Sequence, residues 1–242
     1  MKSISPLKLS IAGLILLLGG CSSPLVEQVE QVSNQTADAK AGPAQEQLTA
    51  YQIMALDLKQ QPNQFVRTQG KVSESVKTQF RQALKLKEQN ELQQAEQAFR
   101  SIASQQVGLS GPHLQLGDLA LLETDKARFE RAEQHYQIAV EINPHNYHAR
   151  NRLARVLREQ GKFAEAEEQY KQALVSWPAF KPSYLNLGIL YDLYLGDKAK
   201  ALEHYQIYQA LNDKPERKVK GWIADLSRQV NSQKTSQLAE AK

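Results

Sequence analysis

The feature that most constrains this chain is a recurrence with a period of about 34 residues, long enough for two short helices and the turns that join them. Leu119, Ala120, Phe129, Ala132, Tyr136, Ala139 and Pro144 return one period on as Leu153, Ala154, Phe163, Ala166, Tyr170, Ala173 and Pro178. Self-similarity at such a period marks a repeated supersecondary unit whose copies stack in series, because one unit alone cannot bury its apolar face. Within each copy the apolar residues fall at helical intervals, with Pro144 and Pro178 closing each second helix. The unit is therefore a pair of short helices and the fold class is all-α.

The other copies keep the pattern with small slips. Leu153, Ala154 and Leu157 map one period on to Leu187, Gly188 and Tyr191, whereas Ala166, Tyr170 and Ala173 map one position further, to Ala201, Tyr205 and Tyr208. This predicts a single inserted residue between Leu193 and Lys198. Ala83, Ala95, Phe99 and Ile102 precede Ala120, Ala132, Tyr136 and Ala139 by one period plus three positions. The extra positions are expected in the loop around Val107 to Pro112, where length varies at little cost. Four repeats result, at about 76–109, 113–146, 147–180 and 181–214, within a repeat region of 76–211.

Inside a repeat, small residues of the first helix (Ala120, Ala154, Gly188) should face small residues of the second (Ala132, Ala166, Ala201), allowing close helix approach. Tyr136, Tyr170 and Tyr205 then fill the space between hairpins. Beyond Pro215, the spacing of Val219, Trp222, Ile223, Leu226 and Val230 predicts a capping helix over 215–230, with Trp222 in its core face. Residues 231–242 are polar and should fray.

Tyr184-x2-Leu187-Gly188-x2-Tyr191, together with Leu153-Ala154-x2-Leu157, Gly161, Ala166-x3-Tyr170 and Pro178, resembles the tetratricopeptide repeat (TPR) pattern. The resemblance implies a TPR solenoid of about four helix-turn-helix repeats that binds peptide segments of protein partners in a groove lined by the first helices. Outward positions of those helices carry His148, Asn151, Arg155, Arg158 and Glu159, then Leu185, Asn186, Ile189 and Asp192. The candidate groove residues are Asn151, Arg155, Arg158, Asn186 and Ile189. Arginines would pair with acidic groups, and Ile189 would offer apolar contact. Some family members clamp a free carboxylate with paired Lys and Asn; this chain has the asparagines but lacks the complete set.

The N-terminus carries a different signal. Lys2 and Lys8 precede an apolar run from Leu9 to Leu18, about half the ~20 residues needed to span a bilayer, and Gly19-Gly20-Cys21 follows. Leu18-Gly19-Gly20-Cys21 resembles the lipobox of bacterial lipoproteins. That resemblance implies a leader over 1–20 that is removed and acylation of Cys21. The mature chain would then be held at a membrane by several acyl chains without a spanning helix. Ser22 stands where an inner-membrane retention signal would carry Asp, which points to a periplasm-facing place on the outer membrane. Residues 21–48 read as a flexible tether. Residues 49–75 hold a weak amphipathic run from Leu48 to Leu58, expected as a helix covering the first repeat.

The remaining chemistry is sparse. The formal charge of +4, about +2 without Lys2 and Lys8, is too diffuse for a nucleic-acid footprint. One cysteine permits neither an intrachain disulfide nor a thiolate metal site. His145 and His148 form a close pair without a third ligand in sequence, so no metal or other cofactor is expected. No nucleophile, P-loop, dinucleotide or HExxH motif is present, and the chain is not expected to be an enzyme. The reading is an envelope adaptor that supports assembly of a multiprotein complex, with pilus or secretion assembly first, by resemblance to TPR pilotins. The alternative is an accessory subunit of a cell-wall or polysaccharide-processing enzyme, or of an energy-transducing membrane complex.

Overall fold

The computed structural model describes residues 48–68 and 70–240, and every regular element among them is helical. The expected leader, Cys21 and the tether as far as residue 47 lie outside the described residues. Four helical hairpins follow one another: α3 (Glu74–Glu88) with α4 (Leu92–Gln105), α5 (Ser110–Ala120) with α6 (Arg128–Ile142), α7 (Tyr147–Glu159) with α8 (Phe163–Ser176), and α9 (Lys181–Leu190) with α10 (Lys198–Leu211). A long helix, α11 (Arg217–Glu240), comes last, and α1 (Ala50–Gln60) and α2 (Gln64–Thr68) precede the hairpins. From α3 to α11 each helix packs against its neighbours in sequence, so the architecture is an all-α solenoid.

Local chemistry sets the helix ends. Ser73, Asn146 and Asp197 accept hydrogen bonds from the backbone N–H three positions on, satisfying donors that a helix leaves open at its start. Asn146 also donates from Nδ2 to the Ser110 hydroxyl at 3.0 Å, tying the start of α7 to the start of α5. Within the hairpins, Asn90, Gly161 and Gly196 take positive φ of 64°, 78° and 71°, reversing the chain between first and second helix.

The core consists of one ring per hairpin set against small residues. Phe99, Tyr136, Tyr170 and Tyr205 are fully buried at equivalent positions of the second helices, with Ala95, Ala132, Ala166 and Ala201 one turn earlier. In two hairpins the ring lies directly on a glycine of the first helix. A Cβ placed on Gly117 would meet the Tyr136 ring at 2.5 Å, and one on Gly188 would meet the Tyr205 ring at the same distance.

That matched contact corrects the repeat register. Gly117, not Ala120, is the counterpart of Gly188 and of Ala154. Ala83 precedes Gly117 by one period and Gly117 precedes Ala154 by one period plus three positions, so the extra positions sit between α5 and α6. The turn there spans 121–127, against 89–91 and 160–162 in its neighbours, and the loop at 107–112 holds no insertion. Asp125 and Glu123 both bond Arg131 across this long turn. In the fourth hairpin the extra residue is taken up by a π-helical turn, Tyr191–Leu195, which begins before the expected insertion point at Leu193.

The N-terminal helix also differs from expectation. Thr49 and Gln52 form a capping box at the start of α1, and the helix stops before Pro62. It packs against α10 of the last hairpin, not against the first. Ala55 is buried, with Tyr51, Met54 and Leu58 beside it on the main core. Lys59 pairs with Asp213 at 3.1 Å, which places the end of α1 beside the end of α10. The outer face of α10 is adapted to this contact: Ile207 and Leu211 stand where α8 has Gln172 and Ser176.

From α1 the chain returns to α3 as a strap whose described residues are 61–68 and 70–72. Asn63 donates to the Tyr147 hydroxyl at 3.3 Å, and Phe65 meets the Tyr147 ring edge-on at 5.7 Å. The Thr68 hydroxyl lies 3.5 Å from the side-chain oxygen of Asn143. On the far side of the last hairpin, Val219 and Leu226 of α11 are buried, and Trp222 lies 5.2 Å from the Tyr205 ring.

Overpacking at a ring contact costs about 1–3 kcal/mol, more than the roughly 1 kcal/mol that alanine gains over glycine inside a helix. Gly117→Ala and Gly188→Ala should each lower the melting temperature. Gly221→Ala, where nothing lies within 4 Å of the new methyl, should hold or raise it. Thermal unfolding by circular dichroism checks the contrast, and equal behaviour of all three variants would refute the glycine-on-ring packing.

Candidate protein-binding groove

The face formed by the first helices is held together by polar contacts between neighbouring repeats. Asp118 of α5 is the centre of one network. Its Oδ1 accepts from Arg152 Nε of α7 at 2.6 Å and from the Tyr136 hydroxyl at 2.8 Å. Its Oδ2 lies 3.3 Å from Lys87 Nζ of α3, which also donates to Gln115 at 2.8 Å. Three successive first helices are thereby cross-linked. Burial first, and the Asp118 carboxylate second, push the Tyr136 hydroxyl far above the ordinary tyrosine range, so it remains a proton donor to Asp118.

The five groove candidates divide into three kinds. Asn151 and Asn186 are brought together: the Asn151 side-chain oxygen accepts from Asn186 Nδ2 at 3.0 Å and from the buried Ser183 hydroxyl at 3.2 Å. These amides spend part of their hydrogen-bonding capacity joining α7 to α9. Arg158 is packed into the structure, its side chain one-tenth exposed, paired with Glu159 at 2.9 Å and lying 5.5 Å from the Tyr194 ring centroid. Its Nε and Nη1 are buried without a protein partner, as is the hydroxyl of Tyr170, which burial pushes up to about 12.

Arg155 and Ile189 remain on the open face. They occupy equivalent positions one repeat apart on α7 and α9. Arg155 is exposed and, among the described residues, forms no ion pair, while Ile189 is half-buried against the core. Leu193, Tyr194 and Leu195 extend the exposed apolar surface through the π-helical turn. The apolar run was visible in the sequence, but its exposure follows from the π-turn, which periodicity did not foresee.

The histidines are arranged differently from their sequence spacing. His148 is enclosed by the Tyr147 ring at 4.2 Å and the Phe180 ring at 5.3 Å, and burial lowers its pKa. The close pair in space is His113 with His135, Nδ1 to Nδ1 at 3.5 Å, both lowered chiefly by burial. Among the described residues no group of three or more His, Cys, Asp and Glu is placed to hold a metal ion. No helix among them is long and apolar enough to cross a membrane.

Residues 118–184 match the tetratricopeptide repeat family model. No curated protein matches the chain in sequence. Among solved structures, PilF of Pseudomonas aeruginosa superimposes with a TM-score of 0.57 at 20% identity, covering 66% of this chain and 70% of that one. MamA residues 41 to the end from Desulfovibrio magneticus RS-1 gives 0.54 at 18% identity, covering 68% and 90%. A MamA RS-1 double mutant gives 0.55 at 18% identity, with the same coverage. At these identities the likeness concerns the fold.

Arg155→Glu should leave helicity and melting unchanged, since the side chain is exposed. Arg158→Ala removes the guanidinium from above Tyr194 and uncovers Tyr170. Its loss should cost about 1–2 kcal/mol, as packing rather than charge. Denaturant unfolding of the two variants checks this, and a stability loss at Arg155 equal to that at Arg158 would contradict the assignment.

Proposed function

We propose that this chain, a tetratricopeptide-repeat protein, is an adaptor that binds a peptide segment of a protein partner along α7 and α9 and supports assembly or stability of a cell-envelope complex. The observation that carries this reading is the open first-helix face, where exposed Arg155, without an ion-pair partner among the described residues, stands with half-buried Ile189 and the exposed Leu193–Leu195 run. A bound segment with an acidic residue followed by apolar ones matches that order of surface. Asn151 and Asn186 frame the site as a bonded pair, and Arg158 supports it from below. The solenoid is a binding scaffold in this reading, with chemistry left to its partners.

The anchor is the second part of the proposal. Acylation at Cys21 would hold the repeats at the periplasmic face of the outer membrane, with the tether giving reach. Pilus or secretion assembly is the leading specific role, supported by the fold shared with PilF and by the lipobox-like leader.

A photo-crosslinking residue at position 155 in the native cell should trap a discrete protein product. The same probe at Val175, exposed on the second helix α8, should not. Equal trapping at both positions would remove α7 and α9 from the account. Independently, Cys21→Ser should shift the protein from the membrane fraction to the soluble periplasm, and unchanged membrane retention would rule out the acyl anchor.

A further inference from the structure

A cavity of about 630 Å³ lies between the strap and the hairpin ends that the strap crosses, apart from the α7–α9 face. Its volume falls within the roughly 300–1,000 Å³ range of small-ligand pockets. The strap contributes Phe65, Gly70 and Val72; α3 contributes its first turns; the loops at 108–112 and 142–145 close the other walls.

The α3 wall has an ordered chemistry. Val76 and Phe80, one helical turn apart, form an apolar row, and Lys77 and Arg81, spaced in the same way, form a basic row beside it. Leu109, Pro112 and Ile142 continue the apolar lining, and His145 adds a third basic side chain on the opposite wall. Among the described residues the lining includes no Asp or Glu. The nearest competitor is Glu74, which pairs with Lys77 at 2.7 Å in an exposed i,i+3 contact of little strength. Among the described residues Arg81 bonds the Thr78 hydroxyl, at 3.0 Å, and forms no ion pair.

Three uncharged side chains of the wall already hold protein hydrogen bonds. The Thr68 hydroxyl donates to the Gln64 and Phe65 carbonyls, the Ser110 hydroxyl accepts from Asn146, and the Asn143 side chain accepts from the His145 N–H. A peptide would bring a backbone donor and acceptor with every residue and find these side chains already engaged. An acyl chain brings none. A ligand with one anionic head and an apolar tail uses what the cavity leaves free, namely basic heads on one row and hydrocarbon on the next.

From this geometry we infer that the cavity beneath the strap binds a single-chain anionic amphiphile, its carboxylate at Lys77 and Arg81 and its tail among Phe65, Val76 and Phe80. The site is separate from the protein-binding face, and either reading stands without the other.

The test titrates the full chain with dodecanoate below its critical micelle concentration, by calorimetry, against dodecyltrimethylammonium and dodecanol. The expected result is a single dodecanoate site, with the cationic and neutral analogues at least about tenfold weaker, a difference of ~1.4 kcal/mol. Lys77→Glu with Arg81→Glu, both exposed, should weaken dodecanoate about tenfold and reverse the preference in favour of the cation. Gly70→Leu, on the lining at a position with nothing within 4 Å, should narrow the cavity and weaken dodecanoate binding while melting is unchanged. Absence of dodecanoate binding, equal affinity for the three heads, or binding indifferent to both variants would overturn the proposal. Binding of a Glu-Leu alternating peptide without dodecanoate would also overturn it, and would assign the cavity to a protein segment.

Discussion

The structure depends on a ring seated against a position that has no room for a larger side chain. Tyr136 on Gly117 and Tyr205 on Gly188 show the contact at its tightest, and Tyr170 and Phe99 occupy the same place in the other two hairpins. Burying such a ring contributes about 2–3 kcal/mol, too little to hold a two-helix unit against the ordering of its whole backbone. The hairpins therefore persist only by stacking, and the ring is where stacking and hairpin closure meet. Because the contact lies in mid-helix, the turn between the helices is free to vary. One hairpin lengthens its turn to 121–127, and another admits a π-helical turn at Tyr191–Leu195, without displacing the ring.

The same freedom limits what the sequence discloses. The fold class, the second helices and the buried rings followed from periodicity alone, because Ala132, Ala166 and Ala201 with Tyr136, Tyr170 and Tyr205 keep one register. The first helix of the second hairpin did not. A shift of three positions is close to one helical turn of about 3.6, so Leu119-Ala120, one period away, and Leu116-Gly117, one turn further back, both align with Leu153-Ala154. Both sets are apolar and small, and only the approach of the Tyr136 ring decides between them. The place of α1 was hidden for another reason: its amphipathic face shows that it packs, and nothing local says against which end. A hint was present in α10, where Ile207 and Leu211 replace the polar Gln172 and Ser176 of the preceding repeat.

The groove candidates were legible as positions and not as states. Outward spacing placed Asn151, Arg155, Arg158, Asn186 and Ile189 on the first helices. It did not reveal that the two asparagines bond each other or that Arg158 is covered by Tyr194. Single-helix periodicity registers which side a residue faces, whereas the bonds between first helices join residues about one repeat apart. Arg152 with Asp118 and Asn186 with Asn151 are both pairs of this kind. Opposite charges or paired amides one period apart are thus the sequence signal for rungs between repeats.

A solenoid whose repeats touch only their neighbours behaves as a one-dimensional stack, able to fray from either end. This one carries contacts of another class. Lys59 reaches Asp213, Asn63 reaches Tyr147 and Thr68 reaches Asn143, each spanning two repeats or more of sequence, before the chain enters the first hairpin. The strap thereby joins the last repeat to the first over the intervening junctions. Bending the stack changes the spacing of hairpin ends, and the strap is fastened to several of them. Phe65, Thr68 and Asn143, which make these long-range contacts, also line the cavity, so the cavity lies where the strap is fastened to the hairpins.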